Sequence, residues 1–264
     1  MKQTEHKISI LISTYNKDKY IIKTLNSCIK QNYKNYEIIV ADTGSNDGTK
    51  NFLKKFKNPL LKVIYLKKKF KYGALNQIYA TREAFKVSSG EIICLLDGDD
   101  LFKKSKLDEI NNFFSKNKNT NIVQDIPKII KKNKKYDYIL KRKIPTFINI
   151  WPKFYPTSTF SIRKKELKNF FKVDKGYKHT LLEIDARLFF YSKIVLQKHH
   201  ILKKQLTYYK VNNEGISSKY KKFNQEWFLK RVQAHEFIRK FKRNKKYEYG
   251  FDYIISKYIN KLIN

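Results

Sequence analysis

The chain has 264 residues, with 58 Lys+Arg against 23 Asp+Glu and a net charge of +35. A hydrophobic fraction of 41% with 15% aromatics supports a packed core and excludes a wholly disordered chain, and 8 Gly with 5 Pro exclude collagen-like or linker-like sequence. Two cysteines, Cys28 and Cys94, exclude a disulfide framework, and no apolar run reaches the ~18 residues that a membrane span needs.

Only seven of the 58 basic residues are Arg, leaving 51 Lys. Phosphate recognition favours Arg. The Lys excess, with its accompanying Ile, Asn, Tyr and Phe, therefore reads as a compositional bias, and no nucleic-acid partner is expected. The first 13 residues lack a signal-peptide apolar region and a small-residue cleavage site, so a cytoplasmic protein is expected. Its charge still suits peripheral contact with an anionic membrane at the inner face of the cell.

In chain order, Ile8–Ser13 reads as a buried strand and Asp18–Gln31 as a helix with Tyr20, Ile21, Leu25, Cys28 and Ile29 at helical spacing. Strand Glu37–Ala41, helix Asp47–Phe56, strand Lys62–Leu66, helix Ala74–Val87, strand Glu91–Leu96 and helix Lys103–Ser115 follow. Such alternation predicts βαβ units and a mostly parallel sheet flanked by helices, which binds ligands beyond the carboxyl ends of its strands. Asn121–Ile130 and Tyr136–Lys141 read as further strands, and Pro145–Phe160 as an aromatic, proline-rich loop lining a cleft. Leu181–Tyr191 is helical by pattern and Leu206–Val211 strand-like.

The polar residues gather at the predicted strand ends: Thr14-Tyr15-Asn16, then Asp42 to Thr49, then Asp97-Gly98-Asp99-Asp100. Three carboxylates within four residues repel one another unless a cation joins them. Hard oxygen ligands suit Mg²⁺ or Mn²⁺, which pair carboxylates with substrate phosphates. A solvated turn capping the next helix is the alternative for this loop. A G-x-G-x-x-G turn after strand one is absent, which argues against a dinucleotide-dependent dehydrogenase.

Together, ISILISTYNK, EIIVADTGSNDGT and GEIICLLDGDD resemble the nucleotide-binding half of family 2 glycosyltransferases with the GT-A fold. The resemblance covers about the first 115 residues and implies an inverting, metal-dependent hexosyltransferase that uses a nucleotide-diphosphate sugar, a UDP-sugar in particular. It implies nucleotide contacts at Thr14, Tyr15, Asn16 and Asp42, with Asp97 on ribose or metal, Asp99 as the first metal ligand and Asp100 beside it. Thr43 stands where the family carries a second Asp. Arg82 is a candidate for the diphosphate.

In the second half, Glu183 to Phe190 resembles the block that holds the family's general base. An inverting transfer needs one carboxylate to take the acceptor hydroxyl's proton. Asp185 is the first choice and Glu183 the alternative. Leu206 to Asn212 resembles the final strand of these domains, with Lys210 suited to a leaving diphosphate and Asn212 in place of the usual His. The Trp151–Tyr155 loop is expected to shape the sugar or acceptor pocket.

The expected organisation is a catalytic domain over 1–218, divided into a nucleotide half (1–115) and an acceptor half (116–218), with a helical extension over 219–264. Residues 219–264 carry a net charge of +9. They either pack through Trp227, Phe237 and Phe241 or touch an anionic membrane. The expected setting is cell-envelope glycan or glycolipid synthesis, with a glycan or lipid-linked acceptor. A sugar nucleotidyltransferase and a basic nucleic-acid-binding protein are the alternatives.

Overall fold

A computed structural model describes residues 4–67, 70–132, 134–138, 154–174, 178–211, 215, 223–241 and 250–263. The nucleotide half runs β1 (Ile8–Thr14), α1 (Ile21–Ile29), β2 (Tyr36–Asp42), α2 (Thr49–Lys55), β3 (Leu61–Tyr65), α3 (Gly73–Lys86), β4 (Ile92–Asp97), β5 (Leu101–Phe102) and α4 (Lys106–Lys116). Then come β6 (Ile122–Lys131), β7 (Lys134–Asp137), a 3-10 turn at Thr157–Thr159, β8 (Phe160–Arg163), α5 (Lys164–Val173), α6 (Ile184–Ile194), β9 (His200–Lys210), α7 (Gln225–Phe241) and α8 (Phe251–Ile263).

Among the described residues one nine-stranded sheet has the order β3-β2-β1-β4-β8-β6-β9-β5, with β7 on β6. β3, β2, β1 and β4 are parallel, and β8 joins β4 antiparallel. The chain steps outward from β1 to β2 and β3, then returns to β4 on the other side of β1. That reversal between β1 and β4 leaves a crevice at their carboxyl ends, the place where open α/β sheets bind ligands.

The strands are apolar on both faces because helices cover both. Alternate residues divide between two cores. Ile8, Ile10 and Ile12 of β1 pack with Leu25 of α1 and Leu107 and Phe114 of α4. Leu11, with Ile93 and Leu95 of β4, packs with Ile78 and Ala84 of α3 and with α5 and α6. Cys28 and Cys94 are buried, and burial pushes the two thiols up to about 12 and about 11.

Several elements differ from the sequence reading. β9 begins at His200 rather than Leu206, because the lysine-bearing stretch Leu202–Gln205 still pairs with β6 through a register shift. β5 is a two-residue strand on β9, too short to leave a pattern. Phe160 opens β8 rather than ending a loop; residues 139–153, including Trp151, lie outside the described residues. β7 falls at Lys134–Asp137 where Tyr136–Lys141 was expected. α5 was not anticipated, although Leu167, Phe170 and Phe171 bury one face of it. In the C-terminal segment Ala234, Phe237 and Ile238 of α7 join the core cluster that holds α6, as in the packing alternative. Phe241 packs against that cluster, while Trp227 stacks with Phe228 and Arg231 at the start of the helix.

Candidate active site

The register of three strands builds the rim. Thr14 pairs with Asp42 across β1 and β2, and Ser13 pairs with Asp97 across β1 and β4. The carboxylates of Asp42 and Asp97 thus flank the end of β1. Gly98 follows Asp97 in contact with β1: a Cβ there would lie 2.6 Å from Thr14 Oγ1, so only glycine lets the loop close this tightly. Its amide donates to Ser13 O at 3.0 Å. Thr14 Oγ1 itself is buried without a hydrogen-bond partner.

Asp42 is fully buried, and Ser45 Oγ donates to it at 2.5 Å. Burial raises its pKa, against the Ser45 hydrogen bonds and the charge of Lys50. Asn16, at φ 50°, is a bracket between loops: its amide donates to Ser45 Oγ at 2.8 Å, and its side chain exchanges hydrogen bonds with Asn46.

Asp97 accepts from Gln77 Nε2 at 2.9 Å and Ser13 Oγ at 3.1 Å. Burial first, then the charge of Asp99, pushes its pKa up to about 6. Asp99 meets Lys17 Nζ at 2.7 Å. Asp100 is turned inward. It accepts from Ser158 Oγ at 2.5 Å and from the Lys210 amide at 2.7 Å, and burial with two neighbouring carboxylates holds its pKa well above the usual range. Each of its two oxygens thus accepts one hydrogen bond from the protein. Lys210 Nζ lies over the Tyr20 ring, 3.7 Å from its centroid, and Lys17 Nζ is 5.8 Å from the same centroid. Two ammonium groups therefore meet beside the carboxylates.

The second wall comes from α6. Gln77 links the two sides: its Nε2 reaches Asp97 while its Oε1 accepts from the Ile184 amide at 3.5 Å. Glu183 sits just before α6 and is held by Lys230 Nζ of α7 at 2.5 Å. Asp185, in the first turn, accepts from the Ala186 amide at 2.7 Å. Burial, then the Glu183 charge, pushes the Asp185 pKa up to about 7, with Lys230 pulling it down and Asp97 adding to the rise. Burial, with the Asp185 charge among the further causes, raises the pKa of Tyr138 and Tyr209, and Tyr138 packs edge-on against both Tyr155 and Tyr209. Of the Trp151–Tyr155 loop expected to line the pocket, Phe154 and Tyr155 are described, and Phe154 stacks on Phe189 against the core.

Arg82 lies elsewhere. Its guanidinium donates to the carbonyls of Phe171 and Asp174 and stacks on Phe171, so it braces α3 against the end of α5 and not the carboxylate loop. Sequence reasoning missed Lys17, Gln77, Ser158 and Lys230, which lie far apart along the chain from the carboxylates they serve. It also missed the fully buried pair of Lys106 and Asp125, whose lysine donates to Thr207 Oγ1 and the Ser158 carbonyl. That pair props the turn from which Ser158 reaches Asp100 and the Asp97 amide.

Among the described residues no three His, Cys, Asp or Glu side chains gather into a metal-ligand set. The chemistry of the donors still fits Mg²⁺ or Mn²⁺: Asp97 and Asp99 are hard oxygen ligands, and substrate phosphates complete such sites.

A parallel crevice with carboxylates ending the two strands beside β1, set opposite a half-buried carboxylate on a helix, is the arrangement of a nucleotide-sugar-binding class of α/β protein. Residues 9–183 match the Glycosyl transferase family 2 profile, and the chain belongs to that family. It is 27% identical over 181 residues to an uncharacterised glycosyltransferase of Nostoc sp., covering 64% of this chain and 54% of that protein. It is 27% identical over 236 residues to the poly(ribitol-phosphate) β-N-acetylglucosaminyltransferase TarP of Staphylococcus aureus, covering 83% of this chain and 66% of TarP. Escherichia coli WfaP, a UDP-Glc:α-D-GlcNAc-diphosphoundecaprenol β-1,3-glucosyltransferase, is 33% identical over 110 or so residues, which is 42% of each protein. The chain thus spans between about two fifths and two thirds of these relatives. The structure of S. aureus TarS with UDP-GlcNAc superposes with a TM-score of 0.67 at 19% identity, covering 98% of this chain and 72% of TarS. A Pyrobaculum calidifontis mannosyltransferase with GDP-Man and Mn²⁺ superposes at 0.60 with 13% identity, over 98% of this chain and 70% of that one. The fold is GT-A.

Proposed function

We propose that this chain transfers a hexose from a UDP-sugar to a hydroxyl of a cell-envelope acceptor, a glycan or a lipid-linked sugar, with inversion. One observation carries the reading: Asp42, Thr14 and Asp97 end neighbouring strands in register, and Gln77 joins Asp97 to the helix start that bears Asp185. The names of WfaP and of the TarS complex support a UDP-linked donor, and TarP and WfaP support an envelope acceptor.

In this reading Thr14, Tyr15 and Asp42 hold the nucleoside, and the Asn16 bracket fixes the loop on which Asp42 and Ser45 sit. Asp97 and Asp99 would hold Mg²⁺ or Mn²⁺, which supplies positive charge against the diphosphate. Lys17 and Lys210 bring their ammonium groups to the same phosphates, where charge develops as the bond to the sugar breaks. Tyr138, Tyr155 and Tyr209 offer aromatic faces to a sugar ring.

Asp185 takes the acceptor proton as the hydroxyl oxygen bonds to the anomeric carbon and the diphosphate leaves from the opposite side. The environment separates the two candidate bases. Glu183 is engaged by Lys230, whereas among the described residues Asp185 forms no ion pair with a lysine and titrates near 7, where a base works well at neutral pH. That lysine supports a working tie between α7 and the catalytic domain.

The test is a nucleotide-sugar hydrolysis screen with Mn²⁺ or Mg²⁺. Cleavage of a UDP-sugar above other nucleotide sugars is expected. A chain that cleaves none of them and binds no UDP contradicts the proposal.

A further inference from the structure

We propose that α8 is an interfacial helix that seats the protein on an anionic lipid surface through the apolar stripe Phe251, Ile254, Ile255, Tyr258 and Leu262. α8 is held to the body from one side only. Tyr253 and Ser256 are buried, and Asp252 meets His235 of α7 at 2.7 Å. The opposite side is bare: Phe251 is 62% exposed, Ile254 58%, Tyr258 63% and Leu262 68%. At 3.6 residues per turn these positions, with Ile255, fall within an arc of about 100°. A contiguous apolar stripe of this kind on a soluble surface marks a docking site.

Charge decides the occupant. Lys257 and Lys261 are exposed and fall along one edge of the stripe, and the whole chain carries +35. A second copy would bring another +35 against the first, whereas an anionic bilayer complements both the stripe and its basic edge. Lys or Arg near such a surface is attracted to it, and apolar side chains entering the headgroup boundary add to the binding. The inference stands apart from the transfer chemistry, since it uses no residue of the cleft.

Sedimentation of the full chain with vesicles tests it, using phosphatidylcholine alone or mixed with an equal part of phosphatidylglycerol. Binding to the mixed vesicles is expected, and little to neutral ones. The double variant Ile254→Ser, Leu262→Ser removes exposed side chains only, so an unchanged Tm is expected with partitioning weakened about tenfold or more. Lys257→Gln with Lys261→Gln should weaken it by about thirtyfold and lower its salt dependence. Absence of binding by the intact chain overturns the proposal. So does binding that both variants leave intact, which would assign it to the general charge of the surface. A dimer in light scattering that the Ile254→Ser, Leu262→Ser variant dissolves overturns it in favour of a second copy. None of these readouts depends on sugar turnover, so failure here leaves the transfer reading untouched.

Discussion

On the nucleotide side of the cleft, Thr14, Asp42 and Asp97 take their places from strand ends in register. On the acceptor side, Glu183 and Asp185 take theirs from the start of one helix, braced by Gln77 of α3, Lys230 of α7 and the buried pair of Arg187 with Asp174. The first arrangement is local: each carboxylate lies one or no residues beyond an apolar run, and β-pairing does the rest. The second is assembled from side chains that stand 13, 47 and 107 positions from the residues they hold, and so it is more vulnerable to single changes outside it.

The largest expected effect separates the two sides. Asp185→Asn should lower transfer by about 10²–10⁴-fold while leaving UDP affinity unchanged, because the base acts only on the acceptor proton. If Asp185→Asn stays active and Glu183→Gln is dead, the base moves to Glu183. Turnover and calorimetry on the same preparations give the answer.

Next comes the brace. Arg187 is fully buried; its guanidinium meets Asp174 at 2.9 Å and donates to the Leu182 and His179 carbonyls just before α6. Arg187→Met leaves Asp174 buried without that partner and should cost about 3–5 kcal/mol in denaturant unfolding. A loss under 1 kcal/mol would show that the α6 start does not depend on this pair.

The rim has its own weak point in Gly98. Gly98→Ala places a methyl against Thr14, and overpacking of this kind costs about 1–3 kcal/mol. Weaker UDP binding should accompany the loss, since Asp97 and Thr14 move apart. An unchanged UDP affinity would break the link between the strand ends and the nucleotide.

The smallest effect is a shift in pH dependence. Asp185 titrates near 7 among Glu183, Lys230, Asp97, Tyr138 and Tyr209. Below that pH it keeps its proton and cannot accept another, so turnover falls on the acid side and levels off above. Lys230 pulls this pKa down, so Lys230→Met should move the acid limb of the profile to higher pH. A limb that stays in place would remove Lys230 from the account.

The same contrast explains what the sequence made legible. The βαβ order, the strand ends and the DGDD loop were readable because apolar runs, turns and carboxylates are neighbours in the chain. The resemblance ranks Asp185 ahead of Glu183, but the physical feature that separates them, a lysine 47 positions from Glu183, has no local signal. Arg82 misled because its helix precedes the carboxylate loop, yet its side chain turns to the carbonyls that end α5, and nothing local reveals that direction. Asp100 looked equivalent to its neighbours until Ser158 and the Lys210 amide claimed its oxygens. α5 is a different case: Leu167, Phe170 and Phe171 at helical spacing were visible and passed over.

In the proposed function the rim of β1, β2 and β4 binds a nucleotide diphosphate through Asp97 and Asp99 with a divalent cation. Calorimetric titration of UDP, with Mn²⁺ and then with EDTA, tests it most directly, repeated on Asp99→Ala. The account predicts UDP binding that EDTA weakens strongly and that Asp99→Ala weakens to the same level, with no further loss on adding EDTA to the variant. Equal UDP affinity with and without the metal, in both proteins, would contradict it.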